Sequence, residues 1–458
     1  MYNSKGTVVR VLEISLKDYK NISNGTVKTA NISNIENNIV DIRGIYGQNG
    51  SGKTSIISAM GLIKEIFMGR SLPEDIHEYI MYGKDEAEIE VLFYIKNDIK
   101  KYKARYNIVI AKKDEESFIK EESLYYWDKA YIDDKWNKQK GLIINKNNRN
   151  YILPKYRNDE IIELYDENSD FIVNKKMKFK DRKSLIFSDE FINLINKNLH
   201  QISEEYEILD ILKRYATSNL FVIDNKQLAL SDANILLPMN FKNYRGDKDI
   251  SMGVMPIGLE KPTYLPREAI DEIETSLISS NKVINEIIPG LTIKLKELSV
   301  QISKSGTEEV LVELLSCREG VEIPIRYESD GIKKIVAVLH LLIAMFNYNS
   351  MTVLIDELDS GIFEYLLGEI LEILEQRGKG QLIFTSHNLR PLEVLDKNNL
   401  IFTTTNPNNR YIKLKNVKTN NNLRDMYYRD LILGGQEETI YDKTNSARIA
   451  RAFRKAGE

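Results

Sequence analysis

The sequence predicts an α/β fold: a parallel sheet covered by helices on both faces, a mainly helical insertion, and further antiparallel strands. Three observations predict it. A short apolar run ending at Tyr46 leads into Gly47-Gln48-Asn49-Gly50-Ser51-Gly52-Lys53-Thr54, and residues 55–67 continue with apolar side chains at helical spacing. Short apolar strands and apolar helices alternate from residue 331 onward, the order of a sheet buried on both faces. The stretches 86–127 and 291–325 carry short strand-like runs bounded by polar turns.

Taken in order, Val8-Val9-Arg10-Val11-Leu12-Glu13-Ile14-Ser15-Leu16 reads as a strand, and Lys17-Asp18-Tyr19-Lys20-Asn21 as a polar turn holding one aromatic ring. The asparagine-rich residues 21–38 predict a loop or a short hairpin. After the first helix, residues 86–94, 106–111 and 122–127 predict an antiparallel meander. Residues 130–155 are polar and loop-like. From 156 to 290 the reading is mostly helical, with one apolar face at Phe191, Leu194, Ile195, Leu199 and Ile202 and another at Ala269, Ile270, Ile273, Leu277 and Ile284. Neither pattern lasts for the many heptads of a long coiled coil. Residues 236–266 hold four prolines and three glycines, which predicts an irregular segment and a candidate lid. Short strands return at 292–295, 300–302, 310–314 and 322–325. An apolar helix from Gly331 to about Phe346 follows. Next come a strand at 352–355, a helix over 362–376, a strand at 381–384, and strands at 400–403 and 411–414. The expected divisions are 1–130 and 291–415 as two parts of one α/β domain, 131–290 as the insertion, and 416–458 as a tail.

Formal net charge is −3, so nothing global points to nucleic acid, and any such contact must come from a local patch. Cys317 is the only cysteine, which excludes an intramolecular disulfide and fits a reducing cytoplasm. No apolar run reaches the roughly 18 residues of a membrane span. The N-terminal residues lack the apolar core of a signal peptide.

The segment from Gly47 to Thr54 fills every fixed position of the phosphate-loop pattern G-x-x-x-x-G-K-[ST]. Between a strand and a helix N-terminus, such a loop turns backbone N–H groups toward an anion, and the helix dipole favours negative charge there. Lys53 then neutralises β- and γ-phosphate charge, and the Thr54 hydroxyl coordinates Mg²⁺. Gly47, Asn49, Gly50, Ser51, Gly52, Lys53, Thr54 and Ser55 are therefore the candidate nucleotide contacts. Val353-Leu354-Ile355-Asp356-Glu357 is an apolar strand ending in two acids, a second feature of such sites. Asp356 suits the outer shell of the metal, and Glu357 suits the orientation of an attacking water. By itself an Asp-Glu pair at a strand end is common, and the phosphate loop gives it meaning. His387 follows the next strand, where the carboxyl edge of the sheet raises a γ-phosphate role above that of a structural histidine. His77, His200 and His340 lack such a context, and no His/Cys cluster suggests zinc. Ser329 and Asp330 can cap the apolar helix, or Ser329 can join backbone N–H groups in meeting a phosphate.

These pieces in this order resemble the ABC-class ATPases, specifically the non-transporter branch with RecF and the heads of chromosome-maintenance proteins. The resemblance implies an ABC-type P-loop head that uses ATP and Mg²⁺. It assigns Gly47 to Thr54 as Walker A, Asp356 and Glu357 as Walker B and catalytic glutamate, and Ser329-x-Gly331 as the signature. It assigns Asp359 as the D-loop and His387 as the switch histidine. It further implies that ATP sits between two heads, with Ser329 and Gly331 meeting the γ-phosphate held by another copy, hence a homodimer or larger homo-oligomer. The signature departs from Leu-Ser-Gly-Gly-Gln, with Glu328 for leucine and Asp330 for the first glycine. Its Ser-Asp-Gly-x-Lys-Lys form, the early Leu-Lys-Asp-Tyr-Lys-Asn and the run Asp-Glu-Leu-Asp-Ser-Gly look similar to standalone AAA/ABC-type ATPases of phage-defence and abortive-infection operons, such as the Abi-L, Rlo, Septu and PARIS ATPase subunits. That implies a slow ATPase that controls a separate effector encoded nearby. Residues 388–458 offer neither the length nor the acid pattern of an appended Toprim nuclease.

Two competing functions remain at this level: a RecF-like DNA-binding ATPase of repair, and a nucleotide-binding scaffold that hardly hydrolyses. Lys96, Lys100, Lys101, Lys103, Arg105, Lys112 and Lys113 with Tyr102 and Tyr106 can form a nucleic-acid strip, although solvated faces of a meander are the expected reading. Arg448, Arg451, Arg454 and Lys455 with Ile449, Ala452 and Phe453 predict a cationic amphipathic helix that docks on its own domain or on a partner.

Overall fold

Apolar runs too short for helices become the strands of a parallel sheet, in a computed structural model that describes residues 7–113, 116–132, 135–145, 182–189, 192–193, 204–225, 235–245, 249–414, 423–433, 436–441 and 444–457. The N-terminal elements are β1 (Val8–Tyr19), β2 (Ile22–Lys28), α1 (Ile32–Glu36), β3 (Asp41–Tyr46), α2 (Lys53–Phe67), β4 (Glu86–Lys96), β5 (Lys100–Lys113), β6 (Glu116–Ala130) and β7 (Lys140–Asn145). The middle holds α3 (Glu204–Ser218), β8 (Leu220–Ile223), β9 (Leu236–Arg245), β10 (Asp249–Gly258), β11 (Thr263–Pro266), α4 (Arg267–Ile287), β12 (Thr292–Ile302), β13 (Glu308–Arg318) and β14 (Val321–Pro324). Then follow α5 (Asp330–Asn347), β15 (Thr352–Ile355), α6 (Glu364–Arg377), β16 (Gln381–Thr385), α7 (Pro391–Val394), β17 (Leu400–Thr403), β18 (Tyr411–Ile412), α8 (Leu423–Leu433) and α9 (Ser446–Ala456).

The central sheet runs β18-β17-β3-β16-β15-β8, parallel throughout except for the antiparallel β18. Every residue of β3, β15, β16 and β17 is buried, as a sheet covered on both faces requires. Alternation sends their side chains to two cores. Ile45, Leu354, Ile383 and Ile401 join α2, α3 and the N-terminal strands. Val353, Ile355, Leu382 and Phe384 join α4, α5 and α6 on the other face. The meander predicted from 86–127 is present, as a six-stranded antiparallel sheet β2-β1-β4-β5-β6-β7. It is tied to the parallel sheet by Gln381, whose side-chain amide donates to the Val11 carbonyl at 2.8 Å and accepts from its N–H at 3.1 Å. The buried Arg10 guanidinium also donates to the carbonyl of Lys379.

The described residues in the middle of the chain hold strands as well as helices. Among them, two long helices alternate with five strands, and β8 completes the parallel sheet beside β15. Four apolar residues in a row carry no period that separates a buried strand from a helical turn. The described residues of 236–266 are not irregular either: β9 and β10 pair antiparallel, with Pro238 opposite Pro256. A two-stranded ribbon leaves outer edges where missing N–H groups cost nothing, so proline survives there. The strands expected separately at 292–295 and 300–302 are one, β12, with a register shift between Glu297 and Ser299. The apolar face expected at Phe191, Leu194, Ile195, Leu199 and Ile202 lies outside the described residues. No described helix is long and apolar enough to cross a membrane.

Four of the seven cations in the basic strip on β4 and β5 are paired with acids of the fold. Lys96 and Lys101 pair with Glu36, Lys100 with Glu204, and Arg105 with Glu90, while Lys103 lies over the Trp136 ring. Tyr102 and Tyr106 point into the core and donate to Glu207 and Glu122. Helix α9 has no buried residue, so it does not dock on the described part of its own domain.

Candidate nucleotide-binding site

Strand β3 delivers the glycine loop to the N-terminus of α2 at the carboxyl edge of the parallel sheet. Gly47 is required by close approach: a Cβ there would lie 1.7 Å from Thr403 Oγ1 on the neighbouring strand. Ser51 is buried, donates to the Gln48 carbonyl at 2.7 Å and shares a hydrogen bond with Thr403. Lys53 folds back over the loop, its ammonium donating to the carbonyls of Gly47 at 2.8 Å and Gln48 at 3.0 Å. Burial pushes the Lys53 pKa down, and Asp356, Glu357 and Asp359 pull it back up.

The acidic strand end arrives from β15. Thr54 Oγ1 donates to Asp356 Oδ1 at 3.2 Å, and Thr385 Oγ1 donates to the same oxygen at 2.6 Å. Asp356 Oδ2 is buried without a hydrogen-bond partner among the described residues. Burial raises the Asp356 pKa, against the hydrogen bonds from Thr385 and Thr54. Thr385 also accepts from the N–H of Glu357 at 2.7 Å, so one hydroxyl orders both acids. Glu357 has φ 47, a left-handed conformation that costs a non-glycine residue about 1–3 kcal/mol and that persists only where its surroundings impose it. Asp359 Oδ2 accepts from the N–H groups of His387 at 3.1 Å and Asn388 at 2.9 Å, fixing the turn that presents His387.

These groups border one cavity of about 290 Å³, lined by Lys20, Asn21, Asn49, Gly50, Gly52, Lys53, Thr54, Ser55, Glu357 and His387. Gly47, Ser51 and Asp356 stand behind its wall and Asp359 beneath His387. Ser329 and Gly331 do not reach it. Ser329 instead caps α5, its hydroxyl accepting from the Ile332 N–H at 3.4 Å. The Asp330 carboxylate pairs with Lys333 at 2.7 Å, which offsets the charge that would otherwise repel a phosphate. Gly331 packs on the loop after β15, where an added Cβ would lie 2.1 Å from the Gly361 carbonyl oxygen. Gly331→Ala is therefore expected to destabilise the fold by about 1–3 kcal/mol; an unfolding midpoint equal to wild type in urea would refute this packing.

A family profile described as "AAA domain, putative AbiEii toxin, Type IV TA system" matches residues 42–393, from β3 through α7. The chain belongs to this AAA family. The matched range includes the phosphate loop, the acidic strand end and His387, while Lys20 and Asn21 of the cavity wall precede it. A comparison with curated proteins gives no significant match. Among solved structures, the chain is similar to an SMC head bound to the C-terminal winged-helix domain of ScpA (13% identity, 88% of this chain, 97% of that chain, TM-score 0.41). It is also similar to a Pyrococcus furiosus SMC head with an extended coiled coil bound to the C-terminal domain of ScpA (11%, 89%, 96%, 0.41). A third is the SMC head domain from Thermotoga maritima (13%, 89%, 99%, 0.35).

Sequence reasoning missed several residues at this cavity. Lys20 and Asn21 were read only as a turn, yet they line the cavity, and Asn21 donates to the Gly50 carbonyl. Tyr411, on the antiparallel strand β18, donates to the Gly52 carbonyl at 2.7 Å. Thr385 carried a signal, a hydroxyl two residues before His387 at the end of a parallel strand, but its link to Asp356 depends on strand register.

Proposed function

We propose that this chain is an Mg²⁺-dependent ATPase that assembles around ATP and controls a separate effector, a nuclease or toxin, in bacterial anti-phage defence. The observation that carries the enzymatic part is the convergence of Lys53, Thr54, Glu357 and His387 on one cavity, with Asp356 one hydrogen bond behind. The residues fit the groups they are proposed to hold. The loop N–H groups and Lys53 suit a triphosphate; Thr54 and the unpaired buried oxygen of Asp356 suit Mg²⁺. When bound, the metal supplies charge neutralisation at the phosphates. Thr385 and Thr54 hold the Asp356 carboxylate, Glu357 orients water at the cavity wall, and His387 donates toward the terminal phosphate.

Ser329 and Gly331 lie outside their own cavity, and this supports their contribution from a second copy. The Ser-Asp-Gly-x-Lys-Lys signature supports control of an effector, and the family's description, which names an AbiEii toxin of a Type IV TA system, supports a place in such a system without saying whether the toxin is this chain or its partner. Cytoplasmic action follows from that role. The paired cations on β5 give no support to DNA engagement.

Phosphate release from ATP by the purified chain tests the enzyme. The expected result is slow, Mg²⁺-dependent turnover, and no release above an EDTA control refutes it. The same preparation is expected to leave plasmid DNA and RNA intact with Mg²⁺ or Mn²⁺; cleavage abolished by a point mutation in this chain would place the nuclease here. Phage challenge of cells carrying the chain with its neighbouring genes tests the defence role. Protection is expected with wild type and not with Lys53→Ala, and equal plaque counts in both refute it.

A further inference from the structure

Helix α5 does more than present Ser329 outward, because its fifth residue reaches back to the acidic strand end. The Lys334 ammonium is buried and donates to the main-chain carbonyl of Glu357. That carbonyl also accepts from the Ser360 N–H at 3.0 Å, while the Glu357 N–H donates to Thr385 at 2.7 Å. The residue so clamped on both peptide groups is the one with φ 47 at the cavity wall. A non-glycine residue keeps that conformation only under such constraint. One turn earlier on α5, Gly331 sits against Gly361, so the helix start is packed directly on the loop carrying Glu357.

We propose that Lys334 is a positioning residue for hydrolysis: its ammonium fixes the peptide of Glu357 and so aims the carboxylate, coupling the helix that carries Ser329 to the reacting end of the cavity in the same chain. The inference rests on the ATPase reading above. Lys334 does not line the cavity, so its removal leaves nucleotide binding intact and affects turnover.

The test compares Lys334→Met, nearly isosteric and without a donor, with Lys334→Gln, a shorter neutral donor, by steady-state ATPase and by titration of a fluorescent ATP analogue. The expected result is a kcat lower by about 10- to 100-fold with KM and nucleotide affinity within about twofold, because small misplacement of a catalytic group costs rate and not binding. In a Glu357→Gln background, where there is no carboxylate to aim, Lys334→Met is expected to change the residual rate by less than about twofold. Wild-type kcat in Lys334→Met, loss of affinity in step with kcat, or an undiminished effect in the Glu357→Gln background overturns the proposal. Failure of both variants to fold also overturns it, since Lys334 is then a stability residue. A wild-type rate no higher than that of Lys53→Ala overturns the ATPase reading together with this inference. A normal Lys334→Met beside an active wild type overturns this inference alone.

Discussion

Lys53→Ala is expected to abolish ATP binding at concentrations where wild type saturates. In the structure the ammonium is held across the loop by two carbonyls, so its position is set before any phosphate arrives. Charge-assisted hydrogen bonds to ionised partners contribute about 1.5–3 kcal/mol each. Two such contacts to the phosphates amount to about 3–6 kcal/mol, or about 10²- to 10⁴-fold in Kd. The lowered Lys53 pKa does not change this, because three nearby carboxylates favour the charged form and a bound triphosphate would favour it further. The truncation leaves the loop backbone in place, since Gly47, Ser51 and Thr403 hold it independently of Lys53. Isothermal titration of ATP into both proteins decides the matter, and equal affinities would remove Lys53 from the site.

The parts of this site that were legible in the sequence are those where spacing along the chain fixes geometry. A glycine loop entering a helix places Lys53 and Thr54 whatever the rest of the chain does, and an apolar strand ending in Asp356-Glu357 points its acids to one sheet edge. The parallel sheet followed from strands and helices in alternation, and the meander from its strand-like runs. What stayed hidden depends on which strands become neighbours. Thr385 meets Asp356 only because β16 pairs with β15 in the register Phe384 to Ile355. Tyr411 reaches the Gly52 carbonyl from a two-residue strand at the sheet edge, far outside any local motif. Lys334 stands among charged residues at the start of a largely apolar helix, and its contact with Glu357 exists only once that helix packs on the loop after β15. Strand β8 was missed because a run of four apolar residues has no period to read. Lys100, Lys101 and Arg105 of β5 carried a visible pattern but not their acids, which come from α3, α1 and β4.

The second large effect concerns assembly. Glu357→Gln is expected to bind ATP and Mg²⁺ normally, to hydrolyse almost nothing, and to elute as at least a dimer with ATP present. The substitution keeps the shape of the side chain and the clamp on its peptide, which involves only main-chain atoms of residue 357. It removes the charge that orients water. Nucleotide that is bound and not consumed stabilises whatever assembly it bridges, by linkage. Ser329→Arg is expected to bind ATP and to hydrolyse little, because Ser329 does not line its own cavity and its exposed helix start is where another copy would meet a phosphate. Mixing Ser329→Arg with Lys53→Ala separates this arrangement from a self-contained head. If each site draws its phosphate loop from one chain and Ser329 from the other, a mixed dimer has one site with both defects and one with neither. ATPase activity is then expected to reappear on mixing two nearly inactive proteins, at about a quarter of the wild-type rate. That figure assumes that half of the dimers are mixed, each has one intact site, and the sites act independently. If every site is built from one chain, no combination restores an intact site, and the mixture stays as inactive as its components. Native mass spectrometry with one variant carrying a mass tag establishes that mixed dimers are present, and no recovered activity in their presence counts against the two-chain site.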